Sequence, residues 1–169
     1  LGTLIEEMQY DNIYHEHMSY YSISTLQLFF KKFNMEIYDI KYFPNVRTGS
    51  TRFYVKNIGY RNEDISHRVN KMMKIEDKKG YSNFIVLDDF ANRVKKTKKD
   101  LINTLDKIIK NGKRIIGYGA SGRGTAIMNY CGIDEKYLDY VVDDAPAKHG
   151  YYTPGTHLEI KSWESMSKE

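Results

Sequence analysis

Cysteine is nearly absent from this chain: Cys131 is the single one among 169 residues. An internal disulfide and any multi-cysteine zinc site are thereby excluded, and a lone thiol reads as a buried side chain rather than a catalytic one. Long apolar runs are also missing. No window approaches the roughly 18 consecutive apolar residues that a membrane span needs, and the start at Leu1 shows no charged segment leading into an apolar one. The expectation is a cytoplasmic protein without a membrane partner. Leu1 in place of methionine fits a piece of a longer protein or a processed product. Charge of one sign is scarce too: a net +4 suits an anionic ligand such as a nucleotide phosphate and argues against a nucleic-acid partner. Much of it sits in Lys95-Lys96-Thr97-Lys98-Lys99, which reads as a solvated helix face. No internal repeat stands out. With 41% hydrophobic and 28% charged residues, the chain can bury a core as one domain or two small ones.

What is present centres on Gly117-Tyr118-Gly119-Ala120-Ser121-Gly122-Arg123-Gly124. A short apolar run, Ile115-Ile116, precedes it, and a helix-like segment from Thr125 to Tyr130 follows. A glycine turn between strand and helix is a phosphate-binding layout, because the backbone approaches closely and free N–H groups face outward at the helix start. Asp143 follows Gly122 by about 20 residues, after Val141-Val142, which completes the spacing of a dinucleotide fingerprint. Arg123 within the turn is placed to neutralise a pyrophosphate.

Along the chain, Leu4, Ile5 and Met8 share the face of a short helix that ends near Asp11-Asn12. Ser22 or Ser24 can cap a helix carrying Leu26, Phe29, Phe30 and Phe33, with a stop at Asn34. Met35 to Phe43 and Arg52 to Val55 read as strands separated by Pro44-Asn45, with no crossover helix between them, which predicts an antiparallel pair. Asn62 or Asp64 can cap a helix with Ile65, Val69, Met72 and Met73, closing near Gly80. A second helix shows Phe90, Val94, Leu101, Leu105 and Ile108 on one face and ends at Asn111-Gly112. Beyond Lys113 the order is strand, glycine turn, helix, strand at Tyr140 to Val142, and a short strand at His157 to Ile160 after the Pro154-Gly155 turn. The fold class expected is α/β.

Tyr14-His15-Glu16-His17 concentrates two imidazoles, a carboxylate and a phenol in an aromatic loop. If extended, His15 and His17 project to one face and Glu16 to the other. A His-x-His pair can bind a metal, but no third ligand and no helical His-Glu-x-x-His accompany it. General acid/base work, with a carboxylate steering an imidazole, is the alternative, and a hydrogen-bonded turn with no chemistry is the third. Gly49-Ser50-Thr51-Arg52 could hold a phosphate or sugar hydroxyl through Ser50 and Arg52, or be only a turn and strand edge.

Two groups of segments together resemble the nucleotide-sugar C-methyltransferases. Tyr14-His15-Glu16-His17-Met18-Ser19-Tyr20 with Gly49-Ser50-Thr51-Arg52 resembles the part that follows their core for binding S-adenosylmethionine (SAM). Gly117 to Ala120, Arg123-Gly124, Asn129-Tyr130-Cys131-Gly132, Asp139 to Asp143 and Pro154-Gly155-Thr156-His157 resemble their C-terminal domain. The resemblance implies that residues 1–57 are the last helix and strands of a class I SAM methyltransferase sheet, 58–111 a helical connector, and 112–169 a Rossmann-like sugar-nucleotide unit that is incomplete. It implies that Tyr14, Glu16 and His17 line the active site, with His17 the base, and that a nucleotide-sugar substrate is met by Gly117, Gly119, Ser121, Gly122, Arg123, Gly124, Asn129 and Asp143, with Ser50 and Arg52. Arg123 replaces a lysine common in the family, and Ser121-Gly122 a commoner Pro-Ala. SAM is the implied cofactor, its site mostly outside these residues, and the family's zinc region has no counterpart here; the chain by itself is expected to be inactive. Two other readings stand beside this one: an NAD-binding Rossmann oxidoreductase half-domain, and a non-catalytic sugar-nucleotide-binding module.

Overall fold

A computed structural model describes residues 1–46, 49–60 and 64–168. The chain is mixed α/β with two small sheets and clusters into two compact units, residues 1–8 with 19–90, and residues 9–18 with 91 onward. Residues 9–18 thus group with the C-terminal residues.

In the first unit, α1 (Gly2–Glu6) buries Leu4 and Ile5, and the positive φ of Met8 ends its run. Ser22 caps α2 (Ile23–Lys31) in a reciprocal box: its hydroxyl accepts from the Thr25 N–H, and the Thr25 hydroxyl accepts from the Ser22 N–H. The other candidate cap, Ser24, is used differently. Its N–H and hydroxyl donate to the Glu76 carboxylate, as does the Ile23 N–H at 2.8 Å, so a distant side chain satisfies donors that a helix start leaves open. The inward face of α2 is Ile23, Leu26, Gln27 and Phe30, rather than the Phe29 to Phe33 stripe. Phe29 and Phe33 are exposed and lie against each other at 5.2 Å. Buried Gln27 helps set this phase, because its side-chain oxygen accepts from the Ile37 N–H at 2.8 Å.

Strands β1 (Met35–Phe43) and β2 (Ser50–Asn57) form the expected antiparallel pair, with a register shift between Ile37 and Asp39. Ile23, Ile37, Ile40 and Val69 make the core, with Met72 and Met73 packed against it. Helix α3 (His67–Lys79) starts on Ser66, whose hydroxyl accepts from the Val69 N–H, and not on Asp64; the Asn62 alternative lies outside the described residues. Ile65 therefore precedes the helix, and Gly80 closes it.

Helix α4 (Phe84–Lys110) buries Phe90, Val94 and Leu105, and the division between units falls along it, after Phe90. Lys95, Lys96 and Lys99 are exposed, whereas Lys98 donates to the Tyr130 carbonyl at 2.6 Å. The second unit then runs β3 (Gly117–Tyr118), α5 (Gly122–Cys131), β4 (Val141–Val142) and β5 (Ile160–Lys161), with all three strands parallel and β4 in the middle. The strand order was legible; the strand limits were not. Ile115 and Ile116 precede the ladder, and the last strand begins only at Ile160 because His157 adopts φ 53° and its N–H turns back to the Thr153 carbonyl. Leu105, Met128, Cys131, Ile133, Leu138, Val141 and Leu158 form the core, each aliphatic side chain contributing about 1.5–3 kcal/mol on burial. Among the described residues no helix is long and apolar enough to cross a membrane.

Candidate functional site

The glycine turn is held from below by Asp143. One carboxylate oxygen accepts from the Ala120 N–H at 2.8 Å and from the Lys148 ammonium at 2.8 Å, and the other accepts from the Ala145 N–H at 2.9 Å. Lys148 also donates to the Ala120 carbonyl at 2.9 Å, and the His149 ring donates to the Asp143 carbonyl at 2.8 Å. Asp143 is buried, and its carboxyl is held below the usual carboxylate range, chiefly by the Lys148 hydrogen bond and then by the Ala145 N–H. The Gly119 N–H is likewise used within the fold, donating to the Val142 carbonyl at 2.7 Å. Gly119 needs its lack of a side chain, since φ is 92°. Ser121 caps α5 by accepting from the Gly124 N–H at 3.1 Å. Gly122 and Arg123 open α5, where the amides of a first helical turn and the positive end of the helix dipole favour an anion.

Gly117 packs against Val141, where a Cβ would stand 3.0 Å from a methyl group, and a Cβ on Gly124 would stand 3.1 Å from the Gly119 carbonyl. Gly122 packs against the Tyr14 ring, leaving a Cβ only 3.2 Å from a ring carbon. Tyr14 and the glycine turn are thus neighbours inside one compact unit. Tyr14 to His17 is a tight turn closed by the His17 N–H donating to the Tyr14 carbonyl at 2.9 Å, so the extended alternative, with His15 and His17 on one face, does not apply. The Tyr14 and His17 rings lie 4.4 Å apart. His17 Nδ1 lies 2.7 Å from the Asn12 carbonyl oxygen. A carbonyl oxygen can only accept, so Nδ1 carries the proton and, in the neutral ring, Nε2 carries the lone pair. That tautomer suits a base acting through Nε2. His15 and Glu16 are exposed on the same turn.

Arg123 reaches back from α5 to this segment. Its Nε and a terminal nitrogen each stand 2.6 Å from the Asp11 carboxylate, in the 3-10 turn Tyr10–Asn12. The guanidinium expected to meet a pyrophosphate is therefore engaged within the unit. Asn129 is similarly engaged: its amide donates to the Thr125 and Pro154 carbonyls, both at 2.9 Å. Ser50 and Arg52 belong to the first unit, where the Ser50 hydroxyl donates to the Val46 carbonyl and Arg52 lies over the Phe43 ring. An open groove of about 610 Å3 in that unit, lined by Ile40, Met72, Ile75 and three basic side chains, contains none of the candidate residues.

Asp11, Asn12 and Lys148 are the participants that sequence reasoning missed. Asp11-Asn12 carried a turn signal, and nothing marked Lys148. Burial raises the Cys131 thiol pKa, which fits a core residue rather than a nucleophile. Among the described residues no three His, Cys, Asp or Glu side chains converge to hold a metal ion. Both oxygens of Asp143, the acid placed for a ribose in the dinucleotide spacing, bind the turn and its flanks instead.

Residues 45–169 match the family described as the C-methyltransferase C-terminal domain. A curated relative, the C-methyltransferase NovU of Streptomyces niveus, is 26% identical over 167 residues, which cover 99% of this chain and 39% of NovU. The chain thus spans about two fifths of the length of that relative. With most of its residues matched, and with the glycine turn inside the matched region, the chain belongs to the C-methyltransferase C-terminal domain family.

Proposed function

We propose that this chain is the substrate-side portion of a SAM-dependent C-methyltransferase, and that the substrate is a nucleotide-linked keto-sugar. The observation that carries this reading is the His17 ring, oriented through Nδ1 by the Asn12 carbonyl, in the same compact unit as the glycine turn. A hydrogen on the carbon next to a ketone is acidified by the carbonyl. His17 Nε2 takes that proton, and the C–H electron pair passes into the enolate, whose carbon is the nucleophile. The Tyr14 phenol, beside the imidazole, is placed to hydrogen-bond the developing oxyanion. Glu16, exposed on the same turn, is the carboxylate that steers the imidazole. The Gly122 and Arg123 amides at the start of α5 face the pyrophosphate. Gly117, Gly119, Ser121, Gly124, Asn129 and Asp143 shape that cradle more than they touch the ligand.

SAM, held outside this chain, supplies the electrophilic methyl group; the groups described here handle the proton and the anion. In this reading residues 1–57 descend from a methyltransferase sheet, 58–111 connect, and 112–169 form a Rossmann-like unit. Fusing a SAM-binding methyltransferase domain ahead of this chain and assaying methyl transfer to a deoxythymidine-diphosphate keto-sugar tests it. Transfer that is lost by at least about 100-fold in His17→Asn supports the base assignment. Transfer at the original rate in that variant refutes it. Titration of the chain with deoxythymidine diphosphate and with NAD separates the substrate reading from an oxidoreductase half-domain.

A further inference from the structure

We infer that Arg123 and Asp11 are positioning residues for His17, and that the arginine of the glycine turn acts through the base rather than on the phosphate. This rests on the assignment of His17 as base. The chain of contacts is short. Arg123 lies on the first turn of α5 and grips the Asp11 carboxylate through two nitrogens, each at 2.6 Å. Asp11 lies in the 3-10 turn Tyr10–Asn12, and the next residue, Asn12, offers the carbonyl that receives the His17 Nδ1 proton at 2.7 Å. Rotation of the Asn12 peptide would remove the acceptor that holds the proton on Nδ1.

Two further contacts fix the same segment to the same helix. The Tyr14 ring lies on the bare Cα of Gly122, and the Tyr10 ring meets that of Tyr130 edge-on at 6.0 Å. These ring contacts tolerate sliding, and Tyr10 also hydrogen-bonds to Cys131; the ion pair, in which two Arg123 nitrogens reach Asp11 Oδ2, is the directional contact next to the Asn12 peptide and can set its orientation. The carboxylate end is sheltered, with the Asp11 side chain 16% exposed, while that of Arg123 is 41% exposed. A lysine at 123 would place one ammonium where a planar fork now reaches, so the shape of arginine and not its charge alone is what the site uses.

Nitrogen-15 chemical shifts of the His17 ring, measured on this chain at a pH where the ring is neutral, read the tautomer without any need for activity. In the unsubstituted chain Nδ1 is expected to show the shift of a protonated ring nitrogen and Nε2 that of an unprotonated one. In Arg123→Gln and in Asp11→Asn the two shifts are expected to converge, while circular dichroism reports a folded chain. In the exchanged pair, Asp11→Arg with Arg123→Asp, their separation should return at least in part. Shifts unchanged in both folded single variants would overturn the inference. Should either variant unfold, the reading is taken on Arg123→Lys, where partial convergence supports the inference and an unchanged separation overturns it. A fused enzyme that keeps full activity as His17→Asn would refute the base and leave the tautomer result intact, so the two failures are distinguishable.

Discussion

Removing the Asp143 carboxylate should loosen the glycine turn before it affects any ligand. In Asp143→Ala the Ala120 and Ala145 amides lose their acceptor, and Lys148 loses its carboxylate while keeping the Ala120 carbonyl. Each stranded donor costs about 1–1.5 kcal/mol, towards the low end for buried groups because water can reach part of this turn. Lys148 is 41% exposed, so its ion pair adds about 0–1 kcal/mol. The sum is about 2–4 kcal/mol. Urea unfolding at neutral pH, followed by circular dichroism, reads it as a lower midpoint at constant slope. The acid dependence carries a second signature. The folded-state pKa of Asp143 lies below its ordinary value, so its contribution is complete above an unfolded-state value of about 3.9 and is lost as pH falls through the lower folded value. The gap between the original chain and Asp143→Asn should therefore narrow below about pH 4. A loss of less than about 0.5 kcal/mol, together with weakened nucleotide binding, would refute the scaffold role and restore Asp143 as a ligand contact.

Two more outcomes follow from local geometry. Gly155→Ala should destabilise more than Gly119→Ala: both have positive φ, worth about 1–2 kcal/mol of strain, but a Cβ at 155 also overlaps the Asn129 side chain, whereas the space at 119 is open. Equal unfolding midpoints for the two variants would contradict this. Tyr140→Phe should leave stability unchanged or raise it by up to about 1 kcal/mol, because the buried Tyr140 hydroxyl has no hydrogen-bond partner among the described residues; a loss on thermal unfolding would reveal one.

Elements with strong local signals were legible in the sequence. β1 was read at both ends, and the face of α4 with Phe90, Val94 and Leu105 was placed correctly, because period and composition suffice for long segments. The face of α2 was read correctly at Leu26 and Phe30 and misjudged at Phe29 and Phe33, for a specific reason. Four aromatic and aliphatic residues at helical spacing outweighed a glutamine, yet Gln27 is buried by its bond to a strand amide that no local pattern reveals. The two-residue strands β3, β4 and β5 are too short for alternation to show. At the candidate site, residue types were legible and partnerships were not. Asp143 carried the right spacing for a ribose contact but faces inward to its own turn, and Arg123 carried the right charge for a phosphate but already has a carboxylate partner. Both outcomes depend on contacts distant in sequence, which periodicity does not encode.

The composition of the second unit also has a consequence for how the chain is made. Asp11 and Arg123 are separated by 112 residues, and segment 9–18 is bracketed in sequence by residues of the other unit. During synthesis at roughly 5–20 residues per second, the segment leaves the ribosome about 6–22 s before its partner helix. Segment 9–18 is thus made before any of the residues from 91 onward with which it groups. No single cut liberates the second unit intact, since a piece starting at residue 91 forfeits Asp11, Asn12 and His17 together.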